Sequence, residues 1–466
     1  MIKKSVFLVL FALLICFAAS AEEENVEIPA EIKVKISAPI IGNESYITDY
    51  NFFIYDGTID SFTMHQMNEN YFSLSRLVNR GVESIFGEKT FLKIKISDWI
   101  NFSWPVLINA ITHEEGHRSI LTAQGIGSIS QPFYNLHGAA YVKGVTNQTL
   151  INFRDTDKPS FVRMYTAGIE SDYMMARKEE MYAAFELDTA SVLYPDYLFR
   201  RLMIIGYLGS GPMYWDAENL DGGLGQIYKW YTSRTELAEE ESEFERDICG
   251  FDTFGATKAL FEDDYEFKRY VQYSDLTEEE KDFIAMRVGF RALLNSFSPF
   301  LFFKDWSNFK IGENLALTGT VAYAMAPFGD FIDENIYFKY RTSSVGDLNF
   351  HFYARQAENY KTWYPAFGLS LIDFQLFDWL SFSASSHIWW QPTDLNFYST
   401  ESFFGGAIEL TAKFILPQRL FPTGKPDFLD GVGFITSILI KSEGFLPEVE
   451  QHGNYARFSI GTEIRF

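Results

Sequence analysis

An α+β protein is predicted, a helix-rich region followed by an antiparallel sheet closed as a barrel, and three observations lead there. Between about residues 61 and 310 the apolar side chains recur at helical spacing. Beyond residue 311 the pattern changes to strict alternation in segments of about ten residues, with no helical stretch between them. Aromatic residues make up 17% of the chain, with 46 Phe and 26 Tyr, and surfaces facing a bilayer account for such a content. At 466 residues the chain also exceeds one ordinary core.

Residues 1–21 read as an export signal. Lys3 and Lys4 precede an apolar run from Val6 to Ala18, and Ala19-Ser20-Ala21 makes a small-residue cleavage site before Glu22. Cys16 falls inside that segment, so the processed chain keeps Cys249 alone and no intrachain disulfide is expected. Loss of Lys3 and Lys4 takes the formal charge from −23 to −25, which argues against nucleic acid or an anionic membrane surface as partner.

Residues 22–60 are expected to contribute strands, at 31–37 and 45–55, that pair into the later sheet. A helix is predicted from about His65 to Gly87, with Phe72, Leu74, Leu77, Val78, Val82 and Ile85 on one side. A second runs from about 98 to 123 and is stopped by Gly125 and Gly127. Residues 128–157 read as a loop or hairpin, with an edge strand at 139–142. Helix returns from 161 to 193, where Pro195 is expected to end it. The apolar run at 200–215 is short of the ~20 residues that a spanning helix needs. Residues 236–247 read as a solvated helix or loop, and a last helix is predicted over 278–303.

About eight strands follow, at 315–325, 336–341, 348–355, 365–373, 380–388, 406–414, 432–442 and 457–466. In the last, Phe458, Ile460 and Ile464 share one face while Arg457, Ser459 and Glu463 share the other. Trp363, Trp379, Trp389 and Trp390 cluster near strand ends, and the final strand closes on Phe466. That strand resembles the C-terminal strand of bacterial outer-membrane β-barrel proteins. The resemblance covers roughly 311–466 and implies about 8–10 strands with an apolar exterior and a polar lumen; the alternative is a β-sandwich in water.

The chemistry lies in His113-Glu114-Glu115-Gly116-His117. Histidines four apart share one helix face, so both imidazoles can reach one metal ion with Glu114 beside it. The pentapeptide resembles the zincin metallopeptidases, which implies a zinc ion held by His113 and His117 and Glu114 as general base. Glu115 and Arg118 depart from the uncharged neighbours usual in that family. A third protein ligand must come from elsewhere. A histidine six residues further on is ruled out, since Ala123 stands there. The order of motif helix, edge strand and glutamate-bearing helix resembles the gluzincin branch and makes Glu170 the expected third ligand. Asp172 is expected to orient a histidine. Glu186 and Asp188 compete with Glu170, and His137 is a further auxiliary candidate.

These readings give a signal at 1–21, N-terminal strands at 22–60, a helical metallopeptidase-like region at 61–310 that plugs or caps the sheet, and an outer-membrane-type barrel at 311–466. The expected activity is zinc-dependent hydrolysis of a peptide or protein, at the outer membrane of a diderm bacterium, among its lipids; the periplasm is the alternative location. The competing reading is a structural or transport barrel with a vestigial or structural metal site. An intramembrane protease of helical type is disfavoured, because no clean ~20-residue apolar span follows the signal.

Overall fold

The structure, a computed structural model, describes residues 35–36, 48–58, 61–87, 89–91, 94–133, 140–210, 242–262, 265–302, 309–311, 314–342, 346–416 and 431–465. The expected export signal and His137 lie outside them.

Strands β1 (Lys35–Ile36) and β2 (Asp49–Asp56) come first, followed by helix α1 (Met64–Phe86). Thr63 starts α1 by accepting from the Gln66 amide at 3.0 Å. After the short hairpin β3 (Thr90–Phe91) and β4 (Ile94–Lys95), the helix expected over 98–123 is two helices, α2 (Ile96–Ile108) and α3 (Ala110–Ala123). They join at Asn109, which keeps a right-handed helical conformation. The expected edge strand is one arm of a hairpin, β5 (Ile129–Gln131) with β6 (Tyr141–Lys143).

Helix α4 (Asn147–Thr156) was not expected, and the reason is visible in its packing: only Leu150 and Phe153 are buried, too few to print a period. Helix α5 (Lys158–Ala184) runs through the centre with most of its residues buried. It stops well before Pro195, at Glu186, whose φ of 55° breaks the helical path. Pro195 lies inside the next helix, α6 (Ala190–Gly209), where burial of Leu193, Asp196 and Tyr197 offsets its missing hydrogen bond. Helix α7 (Asp252–Phe261) follows. The last expected helix is broken into an α-turn (Glu278–Asp282), a π-turn (Phe283–Gly289) and short pieces to Phe302. In the π-turn Arg287 reaches Asp330 with a two-pronged ion pair of 2.8 and 2.9 Å.

Strands β7 (Phe309–Ile311), β8 (Leu315–Ala326), β9 (Gly329–Thr342), β10 (Gly346–Glu358), β11 (Trp363–Phe377), β12 (Leu380–Pro392), β13 (Ser402–Ile415), β14 (Gly431–Lys441) and β15 (Tyr455–Arg465) complete the chain. With β1 and β2 they form one 11-stranded antiparallel sheet, in the order β1, β7 to β15 in sequence, then β2. The N-terminal strands thus flank the C-terminal ones. Among the described residues β1 and β2 do not pair with each other, so the sheet is open rather than a closed barrel.

The β2 edge is not bare. Ser73 of α1 accepts from the Asn51 amide at 2.8 Å and donates to its carbonyl at 2.7 Å. Asn70 does the same for Phe53, at 2.7 and 3.0 Å, and Gln66 adds a bond to the Phe53 carbonyl at 3.0 Å. Helix side chains therefore take the hydrogen bonds that a twelfth strand would make.

The two faces of the sheet invert the usual rule. Polar side chains such as Asp333, Asn335, Ser381, Ser459 and Glu463 are fully buried. Leu369, Ile408, Leu410, Ile438 and Phe458 stand outward, each about half exposed or more. No described helix is long and apolar enough to cross a membrane.

Candidate metal centre

Helix α3 carries His113, Glu114 and His117, and its crossing with α5 is held close by two glycines. A Cβ on Gly116 would lie 2.4 Å from the Ala167 carbonyl oxygen, and one on Gly168 would lie 2.4 and 2.5 Å from the Nε2 atoms of His113 and His117. The imidazoles therefore occupy space that any larger residue at 168 would fill.

Each ring is fixed through Nδ1. His113 Nδ1 donates to Asp172 Oδ2 at 2.8 Å, and His117 Nδ1 donates to the Met164 carbonyl at 2.6 Å. A carbonyl only accepts, so the Nδ1 proton is assigned and the Nε2 lone pair is turned inward. Asp172 is itself held by Arg200, whose Nη1 donates to Asp172 Oδ1 at 2.7 Å and to Thr112 Oγ1 at 2.9 Å.

The third group facing the histidines is Asp252, the first residue of α7. Its Oδ2 lies 3.6 Å from His113 Nε2 and 3.4 Å from His117 Nε2, and the three donor atoms fall within 4.8 Å of one another. Two Nε2 atoms and a carboxylate turned on one point are held together either by protons on the imidazoles or by a cation between them, and two imidazoles with a carboxylate are the donor set of a zinc-type site. The chemistry of the donors thus fits the ion implied by the motif.

Electrostatics agree. Burial works against charge on His113, yet the hydrogen bond and charge of Asp172, with Asp252, raise its pKa well above the ordinary 6.5. Burial likewise opposes His117, and Asp252 raises it. Burial would lift Asp252, but His117 and His113 hold it well below the usual carboxylate range. The pocket thus favours positive charge where the three donors meet. Glu114 is raised by burial, then lowered by the two histidines and raised again by Asp252 and Asp172, with a net upward shift. Around Asp252, Cys249 Sγ donates to Oδ1 at 3.1 Å and the Asp252 amide donates to the Tyr207 hydroxyl at 3.1 Å.

Glu170, the expected third ligand, is not brought to the histidines. Its oxygens accept from Arg163 Nη2 at 2.6 Å and Nε at 2.9 Å, and Oε1 also takes the Glu448 amide at 2.9 Å. The Arg163 guanidinium balances its charge and fixes its orientation, so Glu170 is committed to this pair rather than to the histidines. Asp188 pairs with Arg76 at 2.7 Å and with Arg80, and Glu186 pairs with Lys339 and Arg341. Glu115 and Arg118, the departures from the family pattern, form an ion pair with each other at 2.5 Å. Sequence reasoning passed over Asp252; the one available signal was an acid opening a short helix. The chain matches no known protein-family model and no curated protein.

Proposed function

We propose that the protein is an exported zinc-dependent hydrolase, a peptidase, bound to an outer membrane through its sheet. The observation that carries this reading is the convergence of His113 Nε2, His117 Nε2 and Asp252 Oδ2 beside Glu114. Zinc held there would act as a Lewis acid and bring the pKa of a bound water near neutrality.

The chain's own groups have separate tasks. Asp172 and the Met164 carbonyl hold the two rings in one tautomer, and Arg200 anchors Asp172. Glu114, flanked on α3 by the two histidines, takes the proton of the attacking water and delivers it to the leaving nitrogen. The outward Leu369, Ile408, Leu410, Ile438 and Phe458 support a lipid-facing sheet, because an apolar face of this kind is costly in water and favoured in hydrocarbon.

The test is metal analysis and cleavage of an unstructured protein such as casein by wild type, His113→Ala and Glu114→Gln. Wild type should hold one zinc per chain and cleave; His113→Ala should lose the metal. Glu114→Gln should keep the metal and lose at least ~100-fold in rate. Equal cleavage by wild type and Glu114→Gln would sink the catalytic assignment.

A further inference from the structure

A cavity of about 240 Å³ lies between α5 and the polar face of the sheet. Arg177 lines it from α5, nine residues beyond Gly168 and so ~180° around the helix from the metal centre. We propose that this cavity binds a small oxyanion, a carboxylate or phosphate group, on Arg177.

The charges around it are otherwise matched. Lys178 pairs with Glu69, Lys413 with Asp49 and with Asp373 at 3.1 Å, Arg355 with Asp333 at 2.7 Å, and Arg457 with Asp56 and Glu409 at 3.4 Å. The remaining lining carboxylate, Glu448, accepts from the Asn68 amide group at 2.6 Å. Arg177 is the exception. Among the described residues its only approach to a carboxylate is Asp333 at 4.0 Å, and that group already accepts from Arg355 at 2.7 and 2.8 Å and from Tyr173. Arg177 lies over the Tyr353 ring, 4.7 Å from its centre, and makes no hydrogen bond with a described residue. Its guanidinium, partly open to solvent, keeps N–H donors available at the cavity, and a planar oxyanion matches their fork.

The sheet supplies the opposite wall. His351, Ser370 and Ser385 are cross-strand neighbours on β10, β11 and β12, and all three line the cavity. The Ser370 and Ser385 hydroxyls make no hydrogen bond with a described residue, so they stand as further donors. In the next row Tyr353 and His387 bond across β11 at 2.9 Å. They can meet there because residue 368 is glycine; a Cβ would come within 2.1 Å of the Tyr353 ring. The volume is below that of usual drug-sized pockets and suits a short-chain acid or a phosphate monoester rather than a peptide. This site does not depend on the hydrolase reading.

Calorimetric titration of the detergent-solubilised full-length protein with sodium phosphate and, separately, sodium hexanoate tests it. One probe should bind at one per chain, and which one does distinguishes a phosphate from a carboxylate ligand. Arg177→Gln should weaken that binding by about 10–100-fold, the loss of a charge-assisted pair, with metal content unchanged. Ser385→Phe, which fills the cavity from the sheet side, should abolish the same binding and serves alone if Arg177→Gln does not fold. No binding of either probe, or wild-type binding by the variants, overturns the proposal.

Discussion

Asp252 and Glu170 are both buried acids, and what separates them is the partner each oxygen already has. Asp252 faces two Nε2 lone pairs and opens α7, where the helix N-terminus favours its charge. Glu170 spends both oxygens on Arg163. Asp252→Asn should therefore drop zinc well below one per chain. Glu170→Ala should keep zinc while losing roughly 3–5 kcal/mol of stability, because Arg163 is left buried and uncompensated; metal content and denaturant midpoints decide between them. His113 and His117 were legible because a spacing of four is local, whereas Asp252 lies 135 residues beyond His117 with no repeat linking the two. The sequence reading passed over Arg163, which stands two turns from Glu170 on the same helix face. His65 makes a separate prediction. Burial and Arg457 oppose its charge, but Asp56 at 3.2 Å outweighs them and the pKa rises above 6.5. The raised value belongs to the folded state, so the pair stabilises fully below about pH 6.5 and the gain is lost as pH rises through the raised value. Urea midpoints at about pH 6 and pH 8.5 should differ more in wild type than in His65→Gln.

At the level of elements, the α3–α5 crossing divides into two separable demands. Gly116 meets backbone, the Ala167 carbonyl, which cannot move without separating the helices. Gly168 meets the tips of two side chains. Gly116→Ala should cost at least ~1–3 kcal/mol through overpacking, read as a lower unfolding midpoint. Gly168→Ala should keep far more of the fold and lose the metal, since the imidazoles must swing away; a variant at 168 with full zinc would count against the site as described. Strand existence was readable where alternation survives, as in β14 and β15, and least so in β8, whose residues 322–326 are buried in succession. Helix α4 was not readable, since it carries no apolar period of its own, and the spacing of Ile284 and Val288 showed a helix over 278–303 but not its break into a π-turn and short pieces.

For the whole molecule, the alternation left two solutions, a half-exposed sheet in water or a lipid-facing one, and the inward polar residues with the outward apolar ones favour the second. Leu410, Ile438 and Phe458 form one cross-strand row in the middle of β13, β14 and β15. Ile438→Arg should cost about 2–4 kcal/mol in lipid vesicles, measured by denaturant unfolding, if the row faces hydrocarbon. A cost under ~0.5 kcal/mol, as for an ordinary water-exposed site, would return the sheet to water.

The side chains of α1 that complete the β2 edge have one more consequence. Ser73, Asn70 and Gln66 make the helical region part of the wall rather than a stopper within it. Excising that region to obtain a bare sheet would therefore uncover a row of unsatisfied amides and carbonyls, and the truncated protein would recruit a neighbour's strand and polymerise edge to edge. Helical region and sheet thus depend on each other at this edge.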